Sequence, residues 1–110
     1  MEIRELTQSE LGLVMPLERE LFGNEAWLEK TMEQELASPN TYYLGIFDPD
    51  LVGYAGLSTV PASFSSDIQT IGVSANRQGS GLGRKLMEHL LAKALSLGSE
   101  QILLEVKANN

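Results

Sequence analysis

The stretch from residue 67 to residue 97 constrains the fold more than any other part of this chain of 110 residues. An apolar, β-branched run (68–73) is followed by a polar turn, alternating glycines at Gly79, Gly81 and Gly83, and a long amphipathic pattern. Glycine has no Cβ, so a glycine-rich backbone can approach a ligand closely. The first turn of a helix offers unpaired N–H groups and a partial positive charge. The stretch therefore predicts a strand, a loop and a helix that together bind a phosphate group, with a pyrophosphate as the preferred ligand.

Periodicity and turn residues predict the remaining elements. Thr7 and Glu10 have the spacing of a capping box at the start of the first helix. Pro16 lies inside that helical pattern and is expected to end or kink the helix. The turn at 48–50 separates two strands that form a hairpin, and 61–66 is predicted to be a loop. The predicted strands are 3–6, 41–47, 51–60, 68–73 and 101–107, and the predicted helices are 7–22, 27–37 and 82–97.

The resulting order is β-α-α-β-β-β-α-β, which indicates one α/β domain with a mixed sheet over residues 1–110. The hairpin strands are expected to be antiparallel. The final strand, helix and strand form a crossover unit, whose two strands are expected to be parallel and whose connection is expected to be right-handed.

Composition excludes several classes of function. The net charge of −7 argues against a nucleic-acid partner and is compatible with a cationic substrate. The chain has no cysteine and one histidine, so disulfides, thiolate metal sites and cysteine nucleophiles are ruled out, and a histidine-rich metal site is not expected. No apolar run approaches the roughly 20 residues that span a bilayer, and no signal-peptide pattern is seen at the N-terminus, so a cytoplasmic protein without a membrane partner is predicted.

Two common phosphate-binding motifs do not fit the glycine loop. A P-loop requires Gly-Lys followed by Ser or Thr after four residues, and the chain has no such string. A dinucleotide fingerprint is matched by Gly79 and Gly81, but Arg84 stands where its third glycine belongs. Arg77, Arg84 and Lys85 either solvate the helix end or assist phosphate binding.

A different signature does fit. The pattern Gln78-x-x-Gly81-x-Gly83 resembles the Gln/Arg-x-x-Gly-x-Gly/Ala signature of the GCN5-related N-acetyltransferases (GNAT). Residues 104–110, Leu-Glu-Val-Lys-Ala-Asn-Asn, are similar to the Leu-Glu-Val-Arg-x-x-Asn segment of ribosomal-protein-alanine N-acetyltransferases, the RimI type. Residues 27–31 resemble the segment around the second helix of the same type, so the resemblance covers nearly the whole chain.

The resemblance implies an acetyl-CoA-dependent N-acetyltransferase with the acyl-CoA N-acyltransferase (GNAT) fold and no metal. Its acceptor would be the α-amino group of a protein or peptide N-terminus, such as that of a ribosomal protein. Glu105 matches the general base of the family, and Asn110 matches an asparagine that contacts acetyl-CoA. The pantetheine arm and thioester would lie along Ile71, Gly72 and Val73, and the pyrophosphate would be bound by the backbone of Gly79, Ser80, Gly81, Leu82, Gly83 and Arg84.

The family pattern continues beyond the position that Asn110 matches. There it has a further helix, two strands and a tyrosine that protonates the departing thiolate. The sequence therefore predicts a domain that lacks these C-terminal elements. Such a domain is expected either to self-associate through the strand at 101–107 or to be the ordered part of a longer polypeptide. Two alternatives stay open, namely a coenzyme A-binding fragment without catalysis and a fragment that a partner chain completes.

Overall fold

A computed structural model of the chain describes residues 1–60 and 64–108, with side chains to residue 104. Within these ranges the element order β-α-α-β-β-β-α-β is as predicted. The strands are β1 (Glu2–Leu6), β2 (Thr41–Phe47), β3 (Leu51–Val60), β4 (Ser65–Val73) and β5 (Gln101–Ala108), and the helices are α1 (Leu11–Phe22), α2 (Glu29–Ala37) and α3 (Leu82–Ser96). No helix in the described ranges is long and apolar enough to cross a membrane.

The described strands form one mixed sheet in the order β1-β2-β3-β4-β5. The first three pairs are antiparallel, and β4 pairs with β5 in parallel, with α3 as the connection between them. This arrangement confirms the predicted hairpin and the parallel pairing of the final two strands. β5 lies at the edge of the described sheet, where Leu103 and Leu104 are 40% and 63% exposed.

Helices cover both faces of the sheet. On one face, α3 contributes a buried row at spacings of four residues, which is why its apolar pattern predicts a helix. On the other face, α1 and α2 pack over β2 and β3. The first core contains chiefly Leu44, Ile46, Leu57, Ile68, Leu82, Leu86 and Leu90, and the second contains Val14, Met15, Leu17, Met32, Tyr43 and Tyr54.

The structure differs from the predictions at three places. Pro16 does not end α1, which continues to Phe22, and the proline lies on the exposed side of the helix between the buried Met15 and Leu17. α2 begins at Glu29 rather than at 27, since Leu28 has an extended backbone (ψ 149°) and is 76% exposed instead of lining an apolar face. β4 begins at Ser65, inside the segment predicted as a loop, because that end of the strand pairs with both β3 and β5. The capping box of Thr7 and Glu10 is confirmed, although it opens a 3-10 turn that precedes α1.

β4 carries an irregularity at Gln69 that the alternating pattern did not predict. Across β3, Ile68 and Thr70 pair with consecutive residues, so Gln69 is an extra residue in β4. Across β5, Ile68 pairs with Leu104 and Thr70 with Lys107, so β5 also carries an extra residue there. Gln69 therefore has no register partner in either neighbouring strand, and the alternation of side chains changes before β4 ends.

Candidate functional site

The carboxyl end of β4 leads towards the start of α3. The described pairs between β4 and β5 include Ile71 opposite Ala108, the last described residue of β5. Gly72 and Val73 pair with Tyr54 and Gly53 of β3. The end of β4 is thus held by β3 at the point where the chain leaves the sheet towards α3.

A pocket of about 260 Å³ lies between this strand end and the start of α3. It brings together seven of the residues for which the resemblance implies cofactor contacts. Ser80 and Arg84 do not line the pocket, and Arg77 and Gln78, which were not among those residues, do. The full lining is Ile71, Gly72, Val73, Arg77, Gln78, Gly79, Gly81, Leu82 and Gly83.

Two of the glycines in the loop are required by the backbone. Gly79 and Gly81 have φ angles of +84° and +87°, a left-handed conformation that residues with a Cβ rarely adopt. A Cβ built on either residue would meet nothing within 4 Å, so both open onto free space. Gly83 differs, because its φ is ordinary and a Cβ there would sit 3.9 Å from Val73 Cγ2, a normal contact. This agrees with a signature that accepts glycine or alanine at the third position.

The start of α3 is suited to an anion. Gly81 is its N-cap, so no side chain accepts a hydrogen bond from the first amides, and no acidic residue occurs in the first turn. Arg84 and Lys85 are exposed next to those amides. The unpaired N–H groups and the helix dipole therefore produce a positive end at the pocket.

Side-chain hydrogen bonds fix the loop between β4 and α3. Gln78, the first residue of the signature, donates from Nε2 to the Val73 carbonyl oxygen at 3.0 Å. Ser80 donates from Oγ to the Arg77 carbonyl oxygen. Arg77 in turn donates from Nη1 to Asp48 Oδ2 at 2.8 Å and from Nη2 to the Asp48 carbonyl oxygen at 3.0 Å. The hydrogen bond and charge of Arg77 hold the pKa of Asp48 below its usual value.

A buried polar cluster lies on the opposite face of the sheet, next to the end of β4. Glu18 of α1 is fully buried, accepts the Trp27 backbone N–H at Oε2 (2.8 Å), and accepts the Tyr54 hydroxyl at Oε1. Tyr43 donates from Oη to Gln69 Oε1 at 3.2 Å. Burial, followed by the Glu18 hydrogen bond and charge, raises the pKa of Tyr54. Sequence reasoning missed this cluster; its one sign was an acidic residue, Glu18, within the apolar stripe of the first helix.

The two other implied residues cannot be placed with their side chains. The backbone of Glu105 lies in β5, within the part of that strand that contains the extra residue, but its side chain is outside the described part. Asn110 lies outside the described residues altogether. Their roles therefore stay predictions.

The model of the acetyltransferase (GNAT) family matches residues 3–110. The chain belongs to this family. It is similar to the N-alpha-acetyltransferase RimI of Mycobacterium tuberculosis, at 37% identity over 109 residues that cover 96% of this chain and 67% of the relative.

Solved structures share the GNAT fold at lower identity. The ribosomal-protein-S18-alanine N-acetyltransferase of Escherichia coli superposes with a TM-score of 0.83 at 22% identity, covering 94% of this chain and 64% of that one. An aminoglycoside acetyltransferase from an uncultured soil metagenomic sample superposes with a TM-score of 0.76 at 18% identity, covering 94% and 76%. These findings confirm the fold and the enzyme class that the resemblance implied, an acetyl-CoA-dependent N-acetyltransferase. These two acetyltransferases are named for different acceptors, a ribosomal protein and an aminoglycoside. The fold alone therefore does not identify the acceptor.

Proposed function

We propose that this GNAT protein transfers the acetyl group of acetyl-CoA to the α-amino group of a protein N-terminus. The observation that carries the proposal is the pocket at the end of β4, where the strand end, a left-handed glycine loop and an uncapped helix start converge. The choice of acceptor is supported by 37% identity to an N-alpha-acetyltransferase. A ribosomal protein is the proposed acceptor, and the cytoplasm the proposed location.

The pocket would bind the coenzyme by its backbone. The amides from Gly79 to Arg84 would hold the pyrophosphate, since the first turn of α3 has no internal acceptor for them. The pantetheine arm would run beside Ile71, Gly72 and Val73, which line the pocket. An N–H group of that segment would donate to the thioester oxygen, where negative charge develops during attack.

The transfer itself needs a base. An amine attacks only when it is unprotonated, so Glu105, directly or through water, would accept a proton from the acceptor amine. The neutral amine nitrogen then forms a bond with the thioester carbon, and the carbon–sulfur bond breaks with its electron pair on sulfur. The second proton, which the nitrogen loses as the amide forms, neutralises the departing thiolate of coenzyme A. Asn110 would contact the acetyl-CoA.

The coenzyme site is tested by comparing Gly81→Val with Gly98→Val. Both glycines have left-handed φ angles, +87° and +85°, and a Cβ on either meets nothing within 4 Å, so backbone strain is matched. Gly98 follows α3 at its other end and does not line the pocket. Calorimetry with coenzyme A should show binding abolished by Gly81→Val and preserved in Gly98→Val. Equal affinity for coenzyme A in the two variants would refute the proposed coenzyme site.

The reaction is tested with a panel of acceptor peptides and acetyl-CoA, read by mass spectrometry. Acetylation confined to the peptide α-amino group supports the proposed acceptor. Coenzyme binding without transfer to any peptide would instead support the non-catalytic alternative. Self-association through the edge strand β5 is a separate proposal, which sedimentation velocity over a range of protein concentrations would test.

A further inference from the structure

The turn between β2 and β3 reaches the rim of the pocket through one ion pair. Asp48, at the start of that turn, receives two hydrogen bonds from the Arg77 guanidinium, one on its carboxylate and one on its carbonyl oxygen. Arg77 lines the pocket, and its side chain is 35% exposed. A second link joins the same regions, because the Ser74 N–H donates to the Val52 carbonyl oxygen at 2.8 Å. The rim is thus fixed by residues from a distant part of the sequence.

Both ends of Arg77 are constrained. Its carbonyl oxygen accepts the Ser80 hydroxyl within the glycine loop, and its guanidinium is oriented by Asp48. A guanidinium has five N–H donors, and the contacts with Asp48 occupy two of them. The remaining donors belong to a planar group whose orientation is already set at the edge of the pocket. Planar, oriented donors of this kind bind phosphate oxygens well.

We propose that Asp48 is a positioning residue that holds Arg77 as a phosphate-binding group of the coenzyme site. The inference rests on the proposed function, because it assumes that the pocket takes the phosphates of coenzyme A. Asp48 acts through Arg77 alone and does not touch the coenzyme. Asp48 restricts the rotamers of Arg77 before a phosphate binds. The side chain therefore loses less conformational entropy on binding, and this loss opposes binding less.

The test is a double-mutant cycle with Asp48→Ala, Arg77→Gln and the double variant, each titrated with coenzyme A by calorimetry. Arg77→Gln should weaken binding about 10-fold, the low end for a charge-assisted hydrogen bond because the site is partly exposed. Asp48→Ala should weaken it by about 2- to 10-fold through lost orientation. The double variant should bind no more weakly than Arg77→Gln. Arg19→Gln, at an exposed arginine of α1 outside the pocket, controls for the change in net charge and should bind as the wild type does.

Two readouts separate positioning from a general structural role. The slope of log K, the association constant for coenzyme A, against the logarithm of the salt concentration should decrease in magnitude by about one in Arg77→Gln. It should not change further in the double variant. Titration with dephospho-coenzyme A, which lacks the 3′-phosphate, shows which phosphate Arg77 binds. If Arg77→Gln weakens the binding of both ligands, Arg77 binds the pyrophosphate. If it weakens only the binding of coenzyme A, Arg77 binds the 3′-phosphate. If Asp48→Ala unfolds, Asp48→Leu, which also has no side-chain acceptor, replaces it in the cycle with the same expected pattern.

An unchanged affinity in Arg77→Gln would overturn the inference. The inference would also be overturned if the Asp48 substitution weakened coenzyme A binding by the same factor in the wild-type protein and in Arg77→Gln. The proposed function fails differently, through wild-type protein that does not bind coenzyme A or binds it no better than Gly81→Val does.

Discussion

Replacing Tyr54 with phenylalanine should destabilise the protein more than the same change at Tyr43. Both side chains are buried, at 0% and 2% exposure, so each substitution removes one hydroxyl group and leaves the ring in place. The hydroxyls have different partners. Tyr54 donates to the fully buried carboxyl group of Glu18, whereas Tyr43 donates to the neutral amide of Gln69, which is only half-buried. The pair therefore isolates the contribution of the buried carboxyl contact.

The magnitude follows from the partners. A hydrogen bond to a charged group contributes about 1.5–3 kcal/mol, and a neutral one about 1 kcal/mol. Since Glu18 retains the Trp27 N–H, we expect a loss of about 2–3 kcal/mol for Tyr54→Phe and about 1 kcal/mol for Tyr43→Phe. Against a total stability of roughly 5–15 kcal/mol, the first loss lowers the melting temperature by about 8–12 °C and the second by about 4 °C.

Urea denaturation followed by fluorescence of Trp27, the sole tryptophan, measures both losses. Burial and Glu18 raise the pKa of Tyr54, so the wild-type contribution is complete below the unfolded value of about 10 and declines at higher pH. Tyr54→Phe should therefore lose less stability than the wild type between about pH 10 and 12. A loss in Tyr54→Phe no larger than that in Tyr43→Phe at neutral pH would refute the reasoning.

Two further substitutions test the core and the chemistry. Gly56→Ala should destabilise the protein by about 2 kcal/mol, because a Cβ there would lie 2.4 Å from Cζ of the buried Tyr43 ring. Gly83→Ala is the control in the same denaturation assay, because a Cβ at Gly83 makes only an ordinary contact. Glu105→Gln should leave acetyl-CoA affinity unchanged and reduce peptide acetylation by roughly 10²–10⁴-fold at neutral pH. Full activity in that variant would assign the base to another group.

The order of elements and the glycine loop could be predicted because their signals are local. The apolar stripe of α3 is visible in residues four apart, and left-handed positions in a turn favour glycine whatever the surroundings. Gly79 and Gly81 therefore indicated the loop before its geometry was known. The boundary at Leu28 was harder to predict, since an apolar residue at a helix start can equally continue the stripe or be exposed before the helix begins.

The contacts that tie the site to the rest of the fold could not be predicted in this way. Asp48 reads as an ordinary turn residue, and only the folded chain brings it to Arg77, 29 positions later. Glu18 has the spacing of a core position, yet its partners Trp27 and Tyr54 come from other segments. A polar residue in an apolar stripe indicates that the residue has a hydrogen-bond partner, but it does not identify that partner.

The irregularity at Gln69 explains how one strand serves both the core and the pocket. Ile68 and Ile71 are three residues apart, so strict alternation would place them on opposite faces of the sheet. In the structure Ile68 belongs to the core under α3, and Ile71 packs against that same core, as Val73 does at the strand end. The extra residue makes this possible and leaves Thr70 beside Tyr54 on the other face. The return of Ile71 and Val73 to that face fixes the end of β4 against α3. The pocket therefore has a wall anchored in the core.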